Sequence, residues 1–418
     1  MTNLIIGCGV VGLTTALELL RRGQHVVLLD SAAHEGLGAS FANGGLLTPT
    51  MAEPWNTPGI HRHLLEYMVS SSSALSLRLS AIPSLLSWGP RFLLNARASQ
   101  YRRATLANIA LGTYSLTVLR DMTETFGLNY EARERGTLKI FRSARALDEL
   151  SKATALLNEH GLTTRVMDAR GAVAVEPCLA AIEGQLAGAI QYSRDMSGDA
   201  YLFCRAAAAA ITRLGGVFHF NRTVRSIEVH GGKAIGVRIG NELLPAENIV
   251  VATGAASPAI VSRLADLAIK PVKGYSMTYT PISARSLPTV PLVDDAYHAV
   301  ITPLGTRLRV AGTAEFAGNS LSMDKKRVEN LTNFMKAIYP QIATDDTLAT
   351  GKAWAGLRPV SADGRPYIGS TRIPGLWVNS GHGHLGWTLA AGSARLLADL
   401  MTGAKPAIDA APYMVGRR

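Results

Sequence analysis

The sequence predicts a mixed α/β (α+β) fold with two domains, one Rossmann-like and the other rich in β-strands. Three observations lead to this prediction. A strand, a glycine turn, a helix and a second strand fill the first 30 residues, β-rich segments follow residue 270, and a strand, a glycine loop and a helix lie at 376–402. A chain of 418 residues can form two hydrophobic cores.

The N-terminal unit carries the glycine pattern of an ADP-binding turn. Gly7 allows the tight turn, Gly9 lets a pyrophosphate approach the backbone, and Gly12 lets the helix pack on the strand. The helix N-terminus faces the phosphates, and Asp30 ends the second strand, where it can accept hydrogen bonds from a ribose diol. This pattern does not distinguish NAD from FAD, because both cofactors use the same unit.

The remaining elements alternate along the chain. Helical patterns occur at about 60–80, 84–126, 144–160, 201–214, 325–338 and 388–402, and strands at 136–141, 217–220, 249–252, 275–279, 299–302, 308–313 and 376–379. A meander is expected at 224–245. We expect a discontinuous dinucleotide-binding domain (1–50, 145–270 and 350–418) and a substrate domain (51–144 and 271–349).

Composition excludes several function classes. The net charge of +11 fits nucleic acid, an anionic membrane surface or anionic ligands. There is no lysine-rich block, zinc-finger spacing or aromatic–basic pattern, so we expect no nucleic-acid partner. The three cysteines lack metal-ligand spacing, which predicts no metal site. No signal peptide and no apolar run of roughly 18 residues is expected, which favours a cytoplasmic location.

Six motifs spread over the chain identify a family resemblance. They are GASFANGG (38–45), PWNTPG (54–59), DMSGD (195–199), KGYS (273–276), GLRP with the following DG (356–364), and GHGHLGW (381–387). Together they resemble the FAD-dependent D-amino-acid oxidase superfamily, and within it the small-subunit type of bacterial D-amino-acid dehydrogenases. The resemblance implies FAD as cofactor and a fold of the D-amino-acid oxidase/glutathione-reductase type.

Two loops are expected at the flavin end of the cofactor. Small residues at 40–45 allow a flat ring to approach the backbone, and the helix after 381–387 would stabilise negative charge on the reduced flavin. His382 is a packing or flavin-contact residue, or alternatively a base. Val224 is a backbone contact to adenine, or alternatively core. The predicted cofactor-binding residues are Gly7, Gly9, Val10, Val11, Gly12, Asp30, Ser31, Ser40, Asn43, Gly44, Gly45, Val224, Gly254, Gly381, His382, Gly383, Leu385, Gly386 and Trp387.

Arg358 and Tyr275 are the candidates for binding a substrate carboxylate. A guanidinium matches a carboxylate bidentately, and Pro359 biases Arg358 to extended backbone. The alternative for Arg358 is a structural salt bridge with Asp363. Tyr275 begins an alternating strand and could donate its hydroxyl to the carboxylate, or could instead be a core tyrosine.

The resemblance implies oxidative deamination of D-amino acids, with electrons passing to a quinone or another respiratory acceptor. The main alternative is an oxygen-using flavin oxidase of glycine, sarcosine or a cyclic D-imino acid such as D-hydroxyproline. A NAD-dependent dehydrogenase and a non-enzymatic nucleotide-binding or membrane-surface protein remain open from the residues alone.

The segment 81–103 combines apolar and basic residues. Its apolar side chains (Ile82, Leu85, Leu86, Trp88, Phe92, Leu93 and Leu94) are accompanied by Arg91, Arg97, Arg102 and Arg103. This composition suits attachment to the inner face of the cytoplasmic membrane. The alternative is ordinary core with a solvated basic face.

Overall fold

The computed structural model describes residues 2–62, 75–78, 81–282 and 287–417. Its strands are β1 (Thr2–Ile6), β2 (His25–Leu29), β3 (Leu46–Leu47), β4 (Leu75–Leu77), β5 (Thr137–Phe141), β6 (Thr164–Met167), β7 (Gly188–Tyr192), β8 (Met196–Ser197), β9 (Val217–His219), β10 (Val224–His230), β11 (Lys233–Ile239), β12 (Glu242–Pro245), β13 (Asn248–Val251), β14 (Ile269–Tyr279), β15 (Leu292–Asp294), β16 (Ala299–Leu304), β17 (Arg307–Phe316), β18 (Lys352–Ser361), β19 (Tyr367–Ser370) and β20 (Leu376–Ser380).

The α-helices of the described residues are α1 (Val10–Arg21), α2 (Ile82–Leu85), α3 (Gly89–Leu94), α4 (Ala98–Phe126), α5 (Ala144–Glu159), α6 (Ala169–Val175), α7 (Ala200–Arg213), α8 (Ser257–Val261), α9 (Lys325–Ile338), α10 (Asp345–Ala349) and α11 (Gly386–Thr402). Short 3-10 helices lie at Pro49–Met51, Ile60–Arg62, Pro177–Gln185, Gly254–Ala256, Gly383–Leu385 and Ala411–Tyr413.

The first sheet has the order β19-β20-β13-β1-β2-β9 and is parallel apart from β19. Apolar side chains from α1, α4, α7 and α11 fill the core beside it; they include Leu13, Leu17, Leu111, Leu119, Phe203, Ala207, Leu389 and Leu397. In such a sheet, ligands bind at the carboxyl ends of the strands. The turns after β1, β2, β13 and β20 meet at this edge.

The second sheet has the order β18-β14-β17-β16-β15-β5-β7-β6, with β4 paired to β17. Most of its pairs are antiparallel. Its outer face packs on α9, which contributes Leu331, Phe334, Met335 and Ile338 to a second core. The predicted meander forms a separate antiparallel sheet, β10-β11-β12.

The structure places several segments differently from the predicted domain boundaries. Strands β6, β7 and β18 pair within the second sheet, although 145–270 and 350–418 were expected in the dinucleotide-binding domain. Helix α4, expected in the substrate domain, packs in the core beside the first sheet. Each of these segments packs against residues that are distant in the chain. Local sequence patterns contain no information about such long-range contacts. Most of the predicted helical segment at 60–80 lies outside the described residues.

Among the residues that the structure describes, no helix combines the length and the apolar character needed to cross a bilayer.

Candidate functional site

In the glycine turn after β1, packing of the protein alone requires glycine at two of the three positions. Gly7 has a φ of +107°, and a Cβ there would lie 2.6 Å from the Ala252 carbonyl oxygen. A Cβ on Gly12 would lie 1.9 Å from the Gly7 carbonyl oxygen. A Cβ on Gly9 would meet only the Ser40 Oγ, at an ordinary 3.4 Å. Protein contacts therefore do not require glycine at position 9, whereas the approach of a pyrophosphate would.

Asp30 is held against this turn. Its Oδ2 accepts a hydrogen bond from the Cys8 amide at 2.6 Å, and its Oδ1 accepts one from the Ala32 amide at 2.9 Å. Ser31 beside it is exposed. Val224 begins β10 and its side chain lies in an apolar core, so a contact of its backbone with adenine stays a prediction.

The loop 40–45 lies between α1 and the second sheet. Ser40 Oγ accepts a hydrogen bond from the Val10 amide at 3.1 Å, close to the start of α1. Asn43 Oδ1 accepts one from the Gly45 amide at 3.0 Å. Gly45 has a φ of +70°, and a Cβ at Gly44 would lie 3.3 Å from the Val300 side chain. The small residues of this loop thus allow close packing against the sheet on one side.

Three successive carbonyl groups of the same loop accept hydrogen bonds from the second sheet. The donors are Ser276 Oγ to Ala42 O (2.7 Å), Arg309 Nη1 to Asn43 O (3.0 Å) and Thr302 Oγ1 to Gly44 O (2.7 Å). These bonds fix the orientation of the loop peptides.

The loop 381–387 leads into α11. Gly381 and Gly383 have left-handed φ values of +84° and +59°. No side chain of Leu385 caps the helix N-terminus at Gly386. The N-terminus of a helix favours a negatively charged ligand group.

His382 and Trp387 are buried within this loop. His382 Nε2 lies 3.0 Å from Ser393 Oγ, and burial lowers the pKa of His382 to about 3. The imidazole is therefore neutral near pH 7 and packs on α11, as expected for a packing residue rather than a base. Trp387 Nε1 donates to Gly198 O at 3.1 Å and its ring lies in the first core with Leu385. A cofactor contact of these two residues would involve their backbone.

Arg358 is a half-buried cation on the inner face of the second sheet. Its Nη1 donates to Thr313 O at 2.9 Å, and its guanidinium lies 5.6 Å from the centre of the Trp55 ring. Burial lowers the pKa of Arg358 to about 10. The guanidinium lies directly over Gly274, where a Cβ would be 2.2 Å from Nη1.

The predicted alternative for Arg358 is not found. Asp363 instead pairs with Arg365 Nη2 and Arg417 Nε, each at 2.8 Å. Within the described ranges, no carboxylate forms an ion pair with Arg358. A deeply placed cation without a counter-ion is unfavourable unless a ligand supplies the negative charge.

Trp55 and His384 form an aromatic wall beside Arg358, which the sequence reasoning missed. Their rings stack with centroids 5.3 Å apart and an interplanar angle of 9°. His384 is exposed on one side, and protein atoms surround it on the others. The partial removal of water by these atoms, together with the charge of Arg358, lowers the pKa of His384 to about 4. Both residues belong to motifs that identified the family resemblance. Their aromatic side chains within those motifs could have indicated a role in the site.

Gly254 connects the first sheet to the strand that carries Arg358. It has a φ of +55° just after β13, and its carbonyl oxygen accepts a hydrogen bond from Ser380 Oγ at 3.1 Å. A Cβ at Gly254 would lie 3.9 Å from the Pro359 ring. The predicted cofactor loops and Arg358 are therefore neighbours.

Tyr275 lies on the other face of the sheet from Arg358. Val272 is opposite Arg358 in the register of β14 and β18, so alternation puts Gly274 with Arg358 and Tyr275 on the outer face. The Tyr275 hydroxyl donates to Glu315 Oε2 at 2.5 Å, and the ring packs in the core that contains α9. The arrangement does not bring Tyr275 to the Arg358 guanidinium and does not support its expected contact with a substrate carboxylate.

Comparisons with known proteins identify the family of this chain. The family model described as FAD dependent oxidoreductase (DAO) matches residues 3–400. D-amino acid dehydrogenase of Methylobacterium radiotolerans is 38% identical over 100% of this chain and 99% of that protein. D-amino acid dehydrogenase of Cereibacter sphaeroides is 37% identical over 100% of this chain and 95% of that protein.

Solved structures share the fold. Glycine oxidase from Geobacillus kaustophilus has a TM-score of 0.76 and 22% identity, covering 100% of this chain and 98% of that one. L-proline dehydrogenase from P. horikoshii has a TM-score of 0.77 and 17% identity, covering 99% and 96%.

The residues present fit FAD from one end to the other. The turn at Gly9 and Asp30 suits the ADP part, and the Ser40–Val10 hydrogen bond joins it to the loop 40–45 at the flavin part. The N-terminus of α11, which has no side-chain cap, belongs to the loop predicted at the same end. The chain belongs to the DAO family and is an FAD-dependent oxidoreductase.

Proposed function

We propose that this enzyme oxidises D-amino acids to imino acids, with Arg358 binding the substrate carboxylate. The substrate loses a hydride from Cα and a proton from nitrogen, and water then hydrolyses the imino acid to a 2-oxo acid and ammonia. The observation that carries the proposal is the half-buried Arg358 guanidinium, which has a carbonyl and an aromatic ring as neighbours but no carboxylate partner among the described residues. The curated relatives named D-amino acid dehydrogenase support the substrate class.

Binding and orientation are the tasks of the protein in this reaction. FAD, when bound, supplies the hydride acceptor. Arg358 fixes the carboxylate, and the aromatic wall of Trp55 and His384 limits where the rest of the substrate can lie. Correct placement of reacting atoms can supply much of the rate.

The histidines of the site do not act as bases near neutral pH. Burial is the main reason that the pKa values of His382 and His384 fall to about 3 and about 4. Both imidazoles are already neutral at pH 7 but are weak bases, so they would not hold a proton taken from the amine. We propose that the amine loses its proton to solvent as the substrate binds.

We propose that the electrons pass to a quinone or another respiratory acceptor rather than to oxygen. The relatives from Methylobacterium radiotolerans and Cereibacter sphaeroides are named as dehydrogenases, which supports this choice. An oxygen-using oxidase is the second candidate, because the glycine oxidase from Geobacillus kaustophilus shares the fold.

A substrate panel separates these possibilities. Purified holoenzyme is assayed with D- and L-amino acids, glycine, sarcosine and D-hydroxyproline, using an artificial dye acceptor with and without oxygen. We expect dye reduction with D-amino acids and little oxygen uptake. Rapid oxygen uptake would identify an oxidase, and activity restricted to glycine, sarcosine or D-hydroxyproline would contradict the proposed substrate class.

Arg358→Leu should abolish most activity on D-amino acids while the protein retains FAD. Losing a buried, charge-assisted contact costs roughly 2–5 kcal/mol, so kcat/KM should fall by about 30-fold or more. Steady-state kinetics and the visible spectrum measure the two properties. Arg238→Leu is the control, because Arg238 pairs with Glu228 in the separate three-stranded sheet. Near-normal kcat/KM in a yellow Arg358→Leu protein would remove Arg358 from the site.

Gly274→Ala should weaken substrate binding without unfolding the protein. The added Cβ would lie within 2.5 Å of the Arg358 guanidinium, which is the end of a flexible side chain and can move away. A displacement of this kind can reduce kcat/KM by about 100-fold. Gly184→Ala is the control, since a Cβ there meets nothing within 4 Å. Unchanged kcat/KM in Gly274→Ala would show that this position of Arg358 is not the productive one.

The segment 81–103 presents a mixed apolar and basic surface. Leu86, Leu93 and Leu94 are 71%, 40% and 55% exposed. The four arginines at 91, 97, 102 and 103 are also exposed. Trp88 and Phe92 were expected on this apolar surface but pack against the protein. Trp88 is 4% exposed, donates a hydrogen bond to Ala268 O and stacks with Phe92. We propose that the three leucines and the arginines attach the enzyme to the anionic inner face of the cytoplasmic membrane, where a quinone acceptor is within reach.

Flotation with vesicles containing phosphatidylglycerol tests this attachment. Leu86→Ser/Leu93→Ser/Leu94→Ser should remain at the bottom of the gradient and keep its flavin, whereas the wild type floats at low salt. The matched control is Leu214→Ser/Ile235→Ser/Leu243→Ser, which changes exposed apolar residues elsewhere and should float. A wild type that never floats, even at low salt, would contradict membrane attachment.

A further inference from the structure

An irregularity in the second sheet lies directly behind Arg358. In the register of β14 and β17, Lys273 is opposite Glu315, but Tyr275 is opposite Gly312. One residue of β14, Gly274, therefore faces two residues of β17, which is a β-bulge. Within the bulge Thr313 has a φ of +57°, an unfavourable conformation for a β-branched residue.

This bulge and Gly274 together form the contact surface on which the Arg358 guanidinium lies. Thr313 O accepts the hydrogen bond from Nη1 at 2.9 Å, and Gly274 leaves the space that the guanidinium fills. Because no carboxylate of the described residues holds the guanidinium, its position depends on where the Thr313 carbonyl and the Gly274 backbone lie.

Glu315 joins the two residues that flank Gly274. Its Oε2 accepts hydrogen bonds from the Tyr275 hydroxyl at 2.5 Å and from Lys273 Nζ at 2.9 Å. Its Oε1 accepts one from Arg78 Nε. Glu315, Lys273 and Tyr275 are 2%, 0% and 1% exposed. All three side chains lie on the face of the sheet opposite to Arg358, so none of them contacts the substrate pocket.

Glu315 is held as a carboxylate in this position. Burial alone would raise its pKa, but the hydrogen bonds from Tyr275, Lys273 and Arg78 outweigh burial and lower the pKa below its usual value. Lys273 is fixed further by donating to Ser322 O at 2.8 Å. A buried carboxylate with three donors has little freedom to move, and so the strand segments attached to it are also fixed.

We propose that Glu315 is a positioning residue for Arg358, and that it sets the affinity for the substrate carboxylate by holding the β17 bulge against Gly274. This inference rests on the proposed function, in which Arg358 binds that carboxylate. It also gives Tyr275 a role different from the expected one. The Tyr275 hydroxyl binds Glu315 on the opposite face of the sheet, so it stabilises the bulge beneath Arg358 and does not reach the ligand.

Three single variants test the proposal. Glu315→Gln should raise KM for D-amino acids by about tenfold and change kcat by less than about twofold, since the contact with the carboxylate is made equally in the ground state and in the transition state. Tyr275→Phe removes one hydrogen bond and should raise KM by about two- to threefold. Glu176→Gln is the matched control: Glu176 is also buried, but it binds Thr289 and Val290 away from the bulge, and it should leave KM unchanged even if the melting temperature falls.

Calorimetric titration with propionate, a carboxylate without an amine, provides a readout independent of turnover. Its Kd should rise in parallel with KM in Glu315→Gln and Tyr275→Phe. In an Arg358→Leu background, Glu315→Gln should change the propionate Kd by less than about twofold, because residues that act through one group are not additive.

Three outcomes decide the matter. If Arg358→Leu itself leaves propionate binding unchanged, the proposed carboxylate site is wrong. If Arg358→Leu weakens binding while folded Glu315→Gln does not, or if the two effects add, Glu315 is only structural and the inference is overturned. If Glu315→Gln does not fold, Tyr275→Phe decides, and an unchanged KM in that variant overturns the inference.

Discussion

The site depends on the attachment of one loop to the second sheet through three consecutive carbonyl groups. Ser276, Arg309 and Thr302 donate to Ala42, Asn43 and Gly44. These donors come from three neighbouring strands of the sheet that also carries Arg358. Because Ser40 of the same loop accepts a hydrogen bond from the start of α1, the loop connects the helix that follows β1 to the sheet that carries Arg358.

Arg309 is the charged member of this attachment. Its Nη2 lies 3.6 Å from Asp199 Oδ2, and burial is the main reason that its pKa falls to about 10. Asp199 also accepts hydrogen bonds from the first amides of α7 and pairs with Arg307 at 2.8 Å. Hydrogen bonds to charged groups contribute about 1.5–3 kcal/mol each. One network therefore connects the start of α7, the loop and the sheet. Asp199 and the loop stand in two of the sequence motifs, whereas Arg307 and Arg309 stand in none of them.

Two arginines of the second sheet thus differ in their environment. Arg309 has a carboxylate close by and stabilises the fold, whereas Arg358 has a carbonyl, an aromatic ring and a glycine beneath it. The absence of a carboxylate around Arg358 within the described residues is the reason for proposing that Arg358 binds a ligand whereas Arg309 is structural. The neutral histidines nearby leave this cation as the dominant charge of the pocket.

Local patterns were sufficient to predict the N-terminal unit, the meander and α9, because each is formed by residues close together in the chain. Strand β18 was not predicted: Gly356 and Pro359 disfavour a strand, and Pro359 is tolerated because β18 is an edge strand. The alternation at Tyr275, Met277 and Tyr279 correctly places them on one face, but both faces of β14 are buried, so the pattern does not say which face meets the substrate. Trp55 and His384 meet across more than 300 residues of chain, which no local pattern encodes.

In the proposed reaction, a D-amino acid held by Arg358 delivers its electrons to the flavin. Anaerobic titration of the purified holoenzyme, followed by the visible absorption of oxidised FAD, measures this step without any external acceptor. We expect D-alanine or another D-amino acid to bleach the absorption fully and the matching L-amino acid to leave it unchanged. Bleaching by neither enantiomer across a broad panel, in protein that dithionite still reduces, would contradict the claim.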